Sequence, residues 1–113
     1  MKRIIAIIKP NMLDDVIFAL HKIEDFPGAT MTEVQGMGRS FHKHVEKRQN
    51  SGSVGYPTRI RIEIVCSDDR LADIISIIEE NARTGKSGDG KIFISDISEA
   101  IRIRTGQRGE DAI

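Results

Sequence analysis

Residues 58–65 read T-R-I-R-I-E-I-V, and this stretch decides the fold. Ile60, Ile62 and Ile64 alternate with Arg59, Arg61 and Glu63. A period of two puts the isoleucines on one face of a strand and the charges on the other, so the strand is half-buried and one sheet face stays polar. Working outward, Ser67-Asp68-Asp69 reads as the cap of a helix in which Leu71, Ile74, Ile75, Ile78 and Ala82 share a side. Gly85 ends that pattern, and a second strand is expected over Lys91 to Ile97.

The N-terminal half has the same plan. Arg3 to Ile8 is a β-branched run, and Pro10-Asn11 with Asp14 and Asp15 in the next turn marks a helix start. Leu13, Val16, Ile17, Leu20 and Ile23 form its stripe, and Phe26-Pro27-Gly28 closes it. A strand over about Thr30 to Met37 follows, and Ile101 to Arg104 alternates like a short final strand. The order β-α-β-β-α-β is the ferredoxin-like split arrangement, an α+β fold with both helices on one sheet face. No helix remains to cover the other face, so a subunit partner is expected.

The 113 residues suit one domain spanning 1–113. Charged residues make up 30% of the chain, yet 17 basic and 17 acidic side chains cancel, which gives no global attraction to nucleic acid or an acidic membrane. No apolar run nears the roughly 18 residues of a membrane span, and the opening MKRIIAIIKP reads as a strand, not a signal peptide. Cys66 is the single cysteine, which excludes an internal disulfide and suits a reducing cytoplasm. Between Arg39 and Pro57 no period is visible; a connection that long in so small a domain points to a functional element that contacts a partner.

Residues 84–91, T-G-K-S-G-D-G-K, come close to a phosphate-binding loop. In that loop the glycines precede a helix, and Ser or Thr follows the Lys. Here a strand follows and Ile92 stands after Lys91, so the hydrolase reading fails. A weaker reading holds: closely spaced glycines let amides approach an anion, and Lys91 adds a charge. Arg102 and Arg104, two apart on the expected last strand, would point to one side and suit phosphate oxygens. An RNA-binding sheet would need exposed aromatics, and the chain has four Phe, one Tyr and no Trp. A small phosphatase would need a nucleophile or acid/base set, for which Asp89 is the one candidate beside the glycines.

Thr84-Gly85-x-x-Gly88-Asp89-Gly90-Lys91-Ile92-Phe93 and Arg102-Ile-Arg-Thr-Gly106, with A-I-I-K-P at the start and T-E-V-x-G-x-G-R over Thr32 to Arg39, closely resemble the PII signal-transduction family across nearly the whole chain. The resemblance implies a homotrimer with ATP, ADP or AMP in clefts between subunits, and a long mobile loop, here about 39–57, pressed onto a target such as a membrane transporter or metabolic enzyme. It implies a sensor and not an enzyme, in the cytoplasm, with no nucleic acid and no membrane insertion. By that resemblance Gly88, Asp89, Gly90 and Lys91 hold phosphates, Gly36, Met37, Gly38 and Arg39 close the cleft, and Arg102 and Arg104 reach in from the neighbouring subunit. Adenine would lie near Ile7, Gly28, Ala29 and Thr30 of one chain and Glu63 and Val65 of another. Arg59 stands where the family usually has a Lys.

Two departures stand out. Gly52 occupies the position of the loop tyrosine that the family modifies, and Tyr56 does not match it. Ser40 replaces the Gln that helps bind magnesium and 2-oxoglutarate, so a second ligand such as bicarbonate, near Gly38, Arg39, Ser40 and Phe41, is expected instead. A metal-responsive regulator of a transporter, using His42 and His44, and a conventional nitrogen-regulatory protein are the alternatives.

Overall fold

A computed structural model describes residues 1–39 and 55–113. The strands are β1 (Lys2–Ile8), β2 (Thr30–Gln35), β3 (Thr58–Cys66) and β4 (Gly90–Asp96), and the helices are α1 (Leu13–His21) and α2 (Leu71–Ala82). They form one antiparallel sheet in the order β2-β3-β1-β4, with β1 paired to both β3 and β4. This is the βαββαβ order that the periodicities predict.

The register explains the burial. Ile4 stands opposite Ile64 and Ile94, Ala6 opposite Ile62 and Ile92, and Ile8 opposite Ile60 and Gly90. Because side chains alternate across the sheet, these residues share a face, and Ile4, Ala6, Ile8, Ile60, Ile62, Ile64 and Cys66 are all buried there. Val16 and Leu20 of α1 and Ile74, Ile78 and Ala82 of α2 complete the core. Fully burying one such isoleucine contributes about 1.5–3 kcal/mol by transfer alone. The opposite face presents Ile5, Ile7, Arg61, Glu63, Lys91 and Phe93, with Phe93 exposed and Arg61 paired to Glu63 at 3.0 Å.

Pro10–Met12 forms a 3₁₀ turn that leads into α1, with Pro at a position where its missing N–H costs nothing. Asp14 and Asp15 lie in the first turn, where the helix dipole favours negative charge. A matching 3₁₀ turn, Asp68–Arg70, precedes α2, and here the expected cap changes: Ser67 makes no side-chain cap bond. The turn is closed by backbone, Arg70 N–H donating to Ser67 O at 3.1 Å, while Asp68 pairs with the Met1 ammonium at 3.0 Å.

The expected final strand is absent among the described residues. Ile101 and Arg108 make a single antiparallel bridge, and the residues between them turn. Gly106 N–H donates to Arg102 O at 2.7 Å and Arg102 N–H to Gln107 O at 2.9 Å. Thr105-Gly106 therefore folds the segment on itself, and the alternation of Ile and Arg has no neighbouring strand in the sheet to pair with. Ile103, at the tip, is fully exposed.

Candidate functional site

Strand ends build the site. β1 finishes at Ile8, β3 starts at Thr58, and β4 starts at Gly90, so in this antiparallel sheet the three meet at one edge, where β2 also ends at Gln35. Just beyond, Gly36 N–H donates to Pro57 O at 2.9 Å, which ties together the two ends of the segment 37–56. A cleft of about 880 Å³ opens between this junction and the turn after α2. It is lined by Ile7, by Gly36 to Arg39, by Pro57 and Arg59, and by Lys86 to Lys91, with Phe93 beyond.

The charge of the lining is one-sided: Arg39, Arg59, Lys86 and Lys91 against Asp89. The Arg59 guanidinium is held by Nη1 donating to the carbonyl of the preceding Thr58 at 2.8 Å. Its other terminal nitrogen lies against Gly88, 3.1 Å from where a β-carbon would stand, and the Lys9 stem approaches the same point to 3.4 Å. A side chain at 88 would push both cations away. Gly90 is tighter: its φ is +104°, and a β-carbon would fall 1.6 Å from the Ile7 carbonyl oxygen. Only glycine lets β4 enter the sheet at this point.

Asp89 faces inward on its own turn. Its Oδ2 accepts from Thr84 N–H at 2.8 Å and Gly85 N–H at 2.9 Å. Its Oδ1 accepts from the Thr84 hydroxyl and pairs with Lys9 Nζ at 3.1 Å. The Thr84 hydroxyl bond, followed by these amide and ammonium donors, holds the carboxyl well below the usual carboxylate range. Lys9 cancels its charge locally, which leaves the four cations of the wall to act on whatever enters. Such a wall, with glycine amides beside it, fits a polyanion.

Of the residues expected from sequence, Ile7, Gly36, Met37, Gly38, Arg39, Arg59, Gly88, Asp89, Gly90 and Lys91 come together here. Gly28, Ala29, Thr30, Glu63 and Val65 do not. Thr30 is paired with Glu63, four residues along β3 from Arg59, about 13 Å at strand rise. Arg102 and Arg104 are exposed on the C-terminal turn and do not line the cleft. The strand that was to aim both guanidinium groups one way is not formed, so their alignment no longer follows from strand geometry. Ser40, Phe41, His42 and His44 lie outside the described residues. Among the described residues no group of three or more His, Cys, Asp or Glu could hold a metal ion, and His21 packs edge-on against Phe26. Pro57, Lys86, Ser87 and Phe93 also line the cleft and Lys9 braces its turn through Asp89, none of them among the site residues expected from sequence; for Lys9 the signal was its place in A-I-I-K-P, just past a strand end.

Fold and cleft together define a small α+β protein whose cationic cleft is lined at one side by Gly36 to Arg39 and Pro57, the described ends of the connection between β2 and β3. The chain belongs to the P-II family: the family model described as Nitrogen regulatory protein P-II matches residues 1–107. It is 47% identical to the nitrogen regulatory protein P-II of Rhodospirillum rubrum and 45% identical to that of Pasteurella multocida, in each case over 100% of both chains. Nitrogen regulatory protein GlnK of Escherichia coli is 42% identical, again over the full length of both. The chain is thus a P-II signal-transduction regulator, and no helix among the described residues is long and apolar enough to cross a membrane.

Proposed function

We propose that the protein binds ATP, ADP or AMP in this cleft as a homotrimer and signals through the segment 39–57 to a target protein, a membrane transporter or metabolic enzyme, in the cytoplasm. The observation that carries the reading is the convergence of Arg39, Arg59, Lys86 and Lys91 on one wall with the Gly88–Gly90 turn. Polyphosphate needs several cations and close backbone approach, and the wall offers both. The adenine would sit against a neighbouring chain, whose Glu63 and Val65 stand on the uncovered sheet face. Arg102 and Arg104, presented on an exposed turn, would reach into the next subunit's cleft.

Signalling follows from position. Gly36 to Arg39 line the cleft and also begin the segment that leaves the sheet. A ligand that changes the charge at this base favours one arrangement of the segment over another by its difference in affinity for the two. ATP and ADP differ by one phosphate, so they would differ there.

A second small ligand is proposed near Gly38, Arg39, Ser40 and Phe41. Ser40 in place of the family's Gln favours an anion such as bicarbonate over 2-oxoglutarate with magnesium. Whole-length identity to proteins named as nitrogen regulators favours the conventional nitrogen-regulatory reading instead. Calorimetry separates them: ATP, ADP and AMP alone, then each with bicarbonate, or with 2-oxoglutarate and magnesium. Saturable nucleotide binding enhanced by bicarbonate alone supports the first; enhancement by 2-oxoglutarate with magnesium supports the second. No nucleotide binding at all refutes both.

A further inference from the structure

Asp89 is out of place in a wall that otherwise carries four cations, since a bare carboxylate there would repel a polyanion. Its surroundings account for it. An ionised carboxylate has about four acceptor positions, and here four donors fill them: the Thr84 and Gly85 amides on Oδ2, and the Thr84 hydroxyl and Lys9 ammonium on Oδ1. The Thr84 hydroxyl also receives Lys9 Nζ at 3.2 Å and the Lys86 amide at 3.2 Å. Carboxylate, hydroxyl and ammonium thus join three chain segments: the exit of α2, the start of β4 and the end of β1.

We propose that Asp89, seconded by Lys9, is a positioning residue of the cleft: by tying the turn 84–89 shut it aims the Gly88–Gly90 backbone and Lys91 at the bound polyphosphate, without touching the ligand itself. The inference rests on the nucleotide-binding reading and deepens it. With its acceptor positions filled, Asp89 has none left for a substrate hydroxyl, and its side chain is only 23% exposed. It stays ionised because each of those donors favours the charged form. Lys9, its ammonium spent on Asp89 and Thr84, also keeps the carboxylate from opposing Arg59, which shares the Gly88 wall with the Lys9 stem.

The sign of one substitution decides the matter. Asp89→Asn removes a negative charge from a cationic cleft, so if Asp89 acted through its field alone, ATP would bind more tightly. As a positioning residue its loss weakens ATP binding tenfold or more, because an amide oxygen and an amino group cannot accept from all four donors. Asp89→Glu keeps the charge but misplaces it, so affinity stays reduced; full rescue by Glu, or unchanged or tighter binding in Asp89→Asn, overturns the proposal. In the Asp89→Asn background, Lys9→Met should cost less than a further twofold, as expected of a residue that acts through the carboxylate. An undiminished additive loss would make Lys9 a direct ligand contact and overturn its assigned role.

Amide hydrogen exchange of the ligand-free protein reads the same tie without any nucleotide. Thr84 and Gly85 amides should be protected in the wild type and exchange at least tenfold faster in Asp89→Asn; equal rates overturn the proposal. If wild type binds no adenine nucleotide, the functional reading fails, and this exchange arm still judges the tie. Should Asp89→Asn not fold, Thr84→Val takes its place: it removes the hydroxyl and keeps the carboxylate. Threefold weaker ATP binding or faster Gly85 exchange is then expected, and no change in either overturns the proposal.

Discussion

Gly90→Ala is the most demanding test of how β4 joins the sheet. The residue has φ +104°, a conformation that side chains rarely adopt, and the added carbon would lie 1.6 Å from the Ile7 oxygen and 2.8 Å from its carbonyl carbon. Backbone strain there costs about 1–3 kcal/mol. The contact cannot be relieved by a rotamer, since the obstacle is backbone, so the start of β4 must pull away from β1. That gives up at least one ladder hydrogen bond, about 1 kcal/mol net, and leaves the Ile7 carbonyl to find water. The sum is roughly 2–4 kcal/mol, or about 8 °C or more of melting temperature for a domain of this size. Thermal melts followed by circular dichroism measure it, with Gly85→Ala as reference. Gly85 has φ +82° but nothing within 4 Å of its β-carbon position, so its variant carries strain without collision. If the two variants melt alike, or Gly90→Ala melts within a degree of wild type, the entry of β4 at Gly90 is wrongly described.

Other expectations follow from the core and the cleft. Ile62→Ala removes a side chain with no exposure from the centre of the sheet and should lower stability by about 2–5 kcal/mol in urea unfolding, with an unchanged slope. Cys66 is buried and its thiol pushed up by desolvation, so a disulfide reagent at pH 8 should modify it at least about a hundredfold more slowly in the native protein than in denaturant. The pH dependence carried by Asp89 has a fixed sign. Its folded-state pKa is depressed, so its contribution is complete above the ordinary carboxylate value near 4, shrinks progressively as pH falls below that value, and is gone once pH is below the folded value. Asp89→Asn should therefore lower stability at pH 7, with the gap to wild type closing below about pH 4 in an acid-unfolding series. Arg102→Ala should weaken nucleotide binding by about 2 kcal/mol, read by calorimetry.

The sheet and helices were legible because their apolar residues recur with clean periods. Ile60, Ile62 and Ile64 in β3, and Ile74 and Ile78 in α2, are buried where the alternation and the stripe put them. Periodicity misled where a strand pattern had no partner: Ile101 to Arg104 alternates as a strand would, but Thr105-Gly106 turns the chain before a ladder can form. It also credited Ser67 with a cap that the backbone of the Asp68–Arg70 turn supplies. In the cleft, Gly88 to Lys91 could be singled out because closely spaced glycines beside a Lys are uncommon. That Arg59 and Lys9 would converge on Gly88 could not be read from spacing. It depends on which strand ends the sheet order places together, and β3 and β4 flank β1 only in three dimensions. The same limit hid the saturated Asp89, whose donors are Thr84 and Gly85 at the other end of its turn and Lys9, just past the end of β1.

The cationic cleft as an adenine nucleotide site is tested most directly by titrating ATP into the wild-type protein at two salt concentrations in a calorimeter. Saturable binding is expected, with one ATP per chain, and affinity should fall as salt rises because the wall attracts phosphate by charge. The absence of saturable heat at low salt, or an affinity indifferent to both salt and Lys91→Met, would contradict it.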